Sequence, residues 1–325
     1  MRRAVILMNL GGPDSPQAVR PFLYNLFSDP AIIGLPTALR LPLASVIAAR
    51  RNRTAQQIYA HLGGSSPLLA NTRAQAAALA AALGDGSRCF VAMRYWHPLT
   101  AAAVAAVKAW PPDEIVLLPL YPQFSSTTTG SSLAAWRSEA VRQGLSAATR
   151  IIGSYPTAPG FVAALAASLA QRLDADAGPL RVLFSAHGLP LKIVRAGDPY
   201  AQEVEQTAAA VAAALGRPQL DWRVCYQSRV GPLPWLGPSI DEELRHAGRD
   251  RVGVVVAPIS FVSEHSETLV ELDRDYRRLA EQYGVPAYRR APAVGTDPRF
   301  ITALAELVRG AGSVVAAERE TPATA

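Results

Sequence analysis

Short apolar runs rich in Val, Ile and Leu alternate along this chain with longer alanine-rich stretches of helical pattern, and that alternation limits the fold more than any other feature. The runs fall at residues 4–10, 89–94, 115–118 and 149–153, and again at 180–186, 221–226, 252–259 and 286–290; helical stretches such as 73–83 and 203–215 lie between them. A strand covered on both faces reads as continuously apolar, so the predicted class is α/β, with parallel sheets flanked by helices. The pattern occurs twice, four strands in each half, and the turn formers Tyr155-Pro156-Thr157-Ala158-Pro159 mark the boundary. The expected organisation is an N-terminal lobe over 1–154, a C-terminal lobe over 155–297, a helix over 298–310 packing back on the first lobe, and a disordered tail over 311–325.

Composition removes several function classes. The 32 basic and 26 acidic residues leave a formal charge of +6, a mild bias toward anionic ligands or an anionic lipid surface. Apart from Arg50, Arg51 and Arg53 the basic residues are scattered, without zinc-finger or aromatic-basic spacing, so no nucleic-acid partner is expected. Cys89 and Cys225 lie in separate apolar runs and read as small buried hydrophobes; two thiols cannot supply the four ligands of an ordinary iron–sulfur cluster. The first apolar run ends at Gly11-Gly12-Pro13 without a cleavage site, and reads as a strand. No apolar stretch reaches the ~20 residues that span a bilayer.

Open parallel sheets bind ligands beyond the carboxyl ends of their strands, so the segments just after the runs carry the functional information. The first turn, Asn9-Leu10-Gly11-Gly12-Pro13, lacks a GxGxxG fingerprint, and no phosphate loop is present. His187 follows the run 180–186 and is expected to face the crevice, where imidazole takes protons or binds a borderline metal; a hydrogen-bonded structural histidine is the ordinary alternative. After the run 252–259 come Glu264, His265, Glu267, Glu271 and Asp275. A helix starting near Ser263 would put the four acids on one stripe, an acidic ladder from solvent to the strand ends. Acids at a helix N-terminus also complement its dipole, which accounts for Glu271 and Asp275 without chemistry. His265 and Glu267 together point to metal or proton handling. Trp235, in a Gly- and Pro-rich loop, offers a flat face for stacking or anchors that loop.

Taken together, NLGGP at 9–13, RYWHPLT at 94–100, YPQFSSTTTGSS at 121–132, FSAHGLP at 184–190, QSRVGPLPWLGP at 227–238 and SFVSEHSETLVELD at 260–273 resemble the motifs of the ferrochelatase family, in the family's order. The resemblance implies two Rossmann-like lobes of the class II chelatase type, with a porphyrin held in the cleft between them. It implies a lyase of haem biosynthesis that inserts ferrous iron into protoporphyrin IX and releases two protons, with iron as substrate and no permanently bound cofactor. A related chelatase acting on coproporphyrin or another tetrapyrrole, and a non-catalytic porphyrin or metal carrier, are the alternatives.

Position by position, His187 matches the family's essential histidine and Glu267 the acid paired with it; the two are also the metal candidates. Glu264 and His265 match polar neighbours of that acid, and Glu271 and Asp275 continue it as a metal or proton relay. Phe261 and Trp235 match aromatic pocket residues, and Arg94, Tyr95 and Tyr121 site residues of the first lobe. Tyr59 and Ser66, in QQIYAHLGGSSP, align with porphyrin or propionate contacts. Leu10 stands where a branch acting on coproporphyrin has tyrosine, which favours protoporphyrin IX. The chain resembles the shorter bacterial type, cytoplasmic and without an iron–sulfur cluster. A peripheral contact with the inner membrane is expected from Phe22, Leu23, Leu26, Phe27, Ile32, Ile33 and Leu35 beside the basic Arg50–Arg53 stretch, although ordinary amphipathic packing gives the same pattern. The residues name no iron donor.

Overall fold

The computed structural model describes residues 1–174, 178–229, 231 and 233–310; the expected tail lies outside the described residues. Among the described residues eight strands form two four-stranded parallel sheets. The first holds β1 (Arg3–Asn9), β2 (Ser87–Met93), β3 (Glu114–Pro119) and β4 (Ala148–Ile151) in the order β2-β1-β3-β4. The second holds β5 (Leu180–His187), β6 (Asp221–Gln227), β7 (Gly253–Pro258) and β8 (Tyr288–Arg290) in the order β6-β5-β7-β8. Their topologies are the same, and the chain has a class II chelatase-like architecture.

Each sheet is covered on both sides, which is why its strands read as apolar runs. On β1, Ala4, Ile6 and Met8 pack outward with Val104, Val107 and Trp136 from two outer helices, Thr100–Lys108 and Ser131–Gln143. Val5 and Leu7 point the other way into a core shared by the lobes, which also takes Val182 and Phe184 of β5, Val255 of β7, and Phe161 and Phe300 from the helices Pro159–Leu173 and Pro298–Arg309. Those two helices cross so closely that a Cβ on Gly160 would sit 2.3 Å from the Arg299 carbonyl oxygen. The last helix is tied to the first lobe as well, since Arg309 donates to Ala82 O at 2.6 Å and its Leu307 carbonyl accepts from Arg150 at 2.9 Å.

The repetition extends to single hydrogen bonds. Beyond β3, Leu120 N donates to Met8 O at 2.8 Å; beyond β7, Ile259 N donates to Ser185 O at 3.0 Å. Likewise Met93 N donates to Pro98 O and Tyr226 N to Pro238 O. Aligning Met8 with Ser185 in this way puts Leu10 of the first lobe at the position of His187 in the second. At the same distance past their strands stand Thr128 and Glu267.

Candidate active site

In both sheets the strand order reverses between the central strands, β1 and β3 in one and β5 and β7 in the other, and such switch points open a crevice at the carboxyl ends. His187 is the last residue of β5 and pairs in register with Gln227, the last of β6. The segment after β7 carries a wide helix, Glu267–Tyr276, whose hydrogen bonds follow the i→i+5 pattern often found at functional sites.

His187 Nδ1 lies 2.8 Å from Glu267 Oε2, and that oxygen also accepts from Ser228 Oγ at 3.2 Å. Burial alone would raise the Glu267 carboxyl, but the charge and hydrogen bond of His187, with His265 and Ser228 behind them, lower it to about 2. Loss of water would depress His187, yet the Glu267 charge and hydrogen bond, aided by Glu271, hold its pKa above the ordinary value. The imidazole is 42% exposed and the carboxylate 25%, so both stay in reach of a ligand in the crevice.

Glu271 accepts from Gln227 Nε2 at 3.1 Å, from Ser228 N at 3.0 Å and from Ser228 Oγ at 2.5 Å. Burial and the neighbouring Glu267 charge raise its pKa against those donors. The two carboxylates of this helix are thus shifted in opposite directions, Glu267 down and Glu271 up. Asp275 is exposed at the outer end of the same helix. Ser228 adopts φ +61°, a left-handed conformation that costs a non-glycine residue energy and here turns both its N–H and its hydroxyl onto Glu271.

His265 is buried, its Nδ1 3.1 Å from Ser263 O, its Nε2 4.0 Å from Glu267 Oε1, and its ring 4.6 Å from that of Phe261. Burial lowers its pKa despite the acids nearby. Glu264 departs from the expected stripe. The helix begins at Glu267, and Glu264 precedes it, paired with Arg290 at 2.8 Å and accepting from Ala293 N at 2.9 Å. Those partners turn it toward β8 and away from the His187–Glu267 pair.

From the first lobe, Tyr59 comes up to the pair. It is buried, bonded to Ser266, and pushed up to about 12 by burial with the Glu267 charge adding to the rise. Ser66 Oγ accepts from Leu68 N at 3.3 Å and leaves no room for a side chain on Gly12, whose Cβ would lie 2.5 Å away. Leu10 is partly buried beside Trp96, where Gly11, at φ +85°, passes within 3.0 Å of the Trp96 amide measured from the Cβ it lacks. Arg94 pairs with Asp29 at 2.7 Å and donates to Ser131 Oγ at 2.7 Å. Tyr95 is a departure, for it is fully buried and its hydroxyl donates to Asp29 at 2.8 Å, so it supports Arg94 from within the core. The Tyr121 hydroxyl is buried beside Ser132, and Trp235 Nε1 is buried without a hydrogen-bond partner among the described residues. The Trp235 loop is pinned behind His187 by Leu236 N donating to Leu189 O at 3.0 Å.

Tyr200 and Asp29 escaped the sequence reading, and Gln227 and Ser228 entered it only within the motif at 227–238, without a role of their own. Gln227 sits opposite His187 in register, and Tyr200 OH lies 3.0 Å from the His187 carbonyl, so both frame the histidine. Only pairing β5 with β6 would have disclosed Gln227 in advance. Of the two thiols, Cys225 is buried and Cys89 only partly so. Among the described residues no three His, Cys, Asp or Glu side chains are gathered to hold a metal ion, and no helix is long and apolar enough to cross a membrane.

A model of the ferrochelatase family matches residues 2–311. The chain is 55% identical over 313 residues to a ferrochelatase of Caulobacter vibrioides, covering 94% of this chain and 89% of that one. It is 55% identical over 319 residues to a ferrochelatase of Phenylobacterium zucineum, covering 96% and 92%. Among solved structures, SirB from Bacillus subtilis with Fe3+ has the same fold at a TM-score of 0.55 and 14% identity, with 96% of each chain covered. A single family accounts for the duplicated sheets, the polar pair at the strand ends and the match along nearly the whole chain: this protein is a member of the ferrochelatase family.

Proposed function

We propose that this enzyme, whose family inserts a metal into a tetrapyrrole, takes ferrous iron and protoporphyrin IX as its substrates and uses the His187–Glu267 pair for the proton transfers. The observation that carries the reading is the 2.8 Å contact between His187 Nδ1 and Glu267 Oε2 at the carboxyl ends of β5 and the β7 segment. Metal insertion replaces two pyrrole N–H bonds by metal–nitrogen bonds, so two protons leave for each ion. With Nδ1 turned to a carboxylate, the neutral imidazole keeps its lone pair on Nε2 for an incoming pyrrole proton. The imidazolium so formed is stabilised by Glu267, as its raised pKa reflects. Glu271, whose pKa is raised, and exposed Asp275 provide the path by which protons leave or iron arrives. Imidazole nitrogen and carboxylate oxygen both suit ferrous iron, so His187 and Glu267 are also its ligands in transit. Tyr59, Ser66, Leu10, Arg94, Tyr121, Trp235 and Phe261 line the porphyrin site, with Tyr95 holding Arg94 in place.

The test is anaerobic mixing of the protein with protoporphyrin IX and ferrous iron, following loss of porphyrin fluorescence, beside the His187→Ala variant. Turnover by the native chain and a loss of about 10²-fold or more in the variant are expected. Equal turnover would remove His187 from the reaction, and binding without turnover would turn attention to coproporphyrin, other divalent metals or a carrier role.

A peripheral membrane contact is supported by a row of exposed apolar side chains, Leu35, Leu39, Leu41, Leu43 and Val46, that leads to exposed Arg50, Arg51 and Arg53. Phe22 and Leu23, expected in that lip, are buried in the core instead. The site of contact proposed is the helix Thr37–Ala60 and the loop before it.

A further inference from the structure

The helix Leu68–Leu83 packs on the first sheet, yet two of its polar side chains end on the second lobe. Gln75 is fully buried, and a buried amide is costly unless its donors and acceptor are matched. Among the described residues its side-chain partners are in the second lobe. Nε2 donates to Val262 O at 2.8 Å and to Gly295 O at 2.9 Å, and Oε1 accepts from Ser263 Oγ at 3.0 Å. One turn earlier, Asn71 Nδ2 donates to Glu264 O at 2.9 Å. The next link is Ser263 O, which lies 3.1 Å from His265 Nδ1. A carbonyl has no proton to give, so Nδ1 carries a hydrogen; in the neutral ring Nε2 then holds the lone pair, 4.0 Å from Glu267 Oε1 and beyond hydrogen-bond reach of it.

We infer that Gln75 is a positioning residue for the reaction: from the first lobe it holds Val262 and Ser263 so that His265 presents Nε2 to Glu267 and the wide helix starts where it does. The inference rests on the proposed placing of the reaction at Glu267 and its neighbours. Partners that orient an acting imidazole through its second nitrogen fix both tautomer and ring angle. The approach of His265 to Glu267 in the second lobe is therefore aligned by a side chain of the first, and the docking of the lobes is part of the site.

The experiment uses full-length Gln75→Leu, which keeps the volume and removes all three hydrogen bonds, and Ser263→Ala, which removes only the hydroxyl. kcat and KM for protoporphyrin IX are measured with ferrous iron, and the tautomers of the chain's five histidines are read from ring ¹⁵N shifts, with His265 assigned by His265→Gln. Gln75→Leu is expected to lose kcat by ~10- to 100-fold, to keep KM for the porphyrin within about twofold, and to lose the Nδ1–H signature of His265. Ser263→Ala is expected to keep the signature and lose less kcat. A folded Gln75→Leu with native kcat or an unaltered tautomer overturns the inference. Should that variant fail to fold, native kcat in Ser263→Ala overturns it. His187→Ala runs alongside: if it turns over normally the placing of the reaction fails, while the tautomer in Gln75→Leu still decides the role of Gln75.

Discussion

Replacing His187 by Asn isolates the electrostatic part of its contact with Glu267. The Asn amide N–H can stand near the imidazole Nδ1–H, so a hydrogen bond survives while the charge is removed. Two unit charges 2.8 Å apart attract by about 6 kcal/mol at an effective dielectric of about 20. The imidazole is 42% exposed, and halving the figure for solvent screening leaves about 3 kcal/mol. The carboxyl gives a similar answer by another route, since a fall from 4.5 to about 2 corresponds to about 3 kcal/mol. Without the imidazolium, the burial that opposes ionisation has less against it, and Glu267 should titrate near or above 4.5. The assay is a ¹³C titration of the Glu267 carboxyl in both proteins. Because the folded pKa is depressed, this stabilisation is present above the unfolded value and is lost as pH falls from 4.5 toward about 2. Acid unfolding should show a matching loss in the native protein and little of it in His187→Asn. A native Glu267 that titrates near 4.5, or a variant Glu267 that stays near 2, would refute the coupling on which the proton chemistry is built.

Asp29 should be unusually intolerant of change. Its Oδ2 accepts from Arg94, Tyr95 and Ser131 in a buried setting, so Asp29→Ala should cost about 3–5 kcal/mol in urea unfolding; a loss below ~1 kcal/mol would mean water serves those donors equally well. At the lip, Leu39→Asp with Val46→Asp should abolish cosedimentation with vesicles containing anionic lipid and leave turnover of detergent-dispersed porphyrin unchanged, and undiminished cosedimentation would remove that surface from membrane binding.

Much of the fold was legible because both sheets are covered on two sides. Val5 and Leu7 face the shared core while Ile6 and Met8 face the outer helices, and such strands announce themselves as unbroken apolar runs. The place of His187 and Glu267 just past those runs singled them out, but their pairing came only from the family resemblance. The wide helix was not, since i→i+5 turns leave no distinct period, and Glu264 looked like its first rung until Arg290 and Ala293 claimed it. Tyr95 could pass for a lining residue because its partner Asp29 lies 66 positions earlier. Gln75 was hidden for the same reason, with partners up to 220 positions away. The apolar residues before Arg50 were read as a lip, but periodicity alone could not separate buried Phe22 and Leu23 from exposed Leu39 and Val46.

The core shared by the two sheets has a mechanical meaning. Phe161, Phe300 and Tyr155 form an aromatic group between the lobes, with ring centroids 5.8 to 6.5 Å apart, and close-packed interiors of this kind yield little under load. Opening or narrowing the crevice as a hinge would have to disrupt that packing together with the Gln75 hydrogen bonds. The walls beyond the strand ends are thus tied to one another through the shared core. On the proposed function, a planar macrocycle entering there would have to do the yielding, bending out of plane to the shape of walls that this packing holds in place.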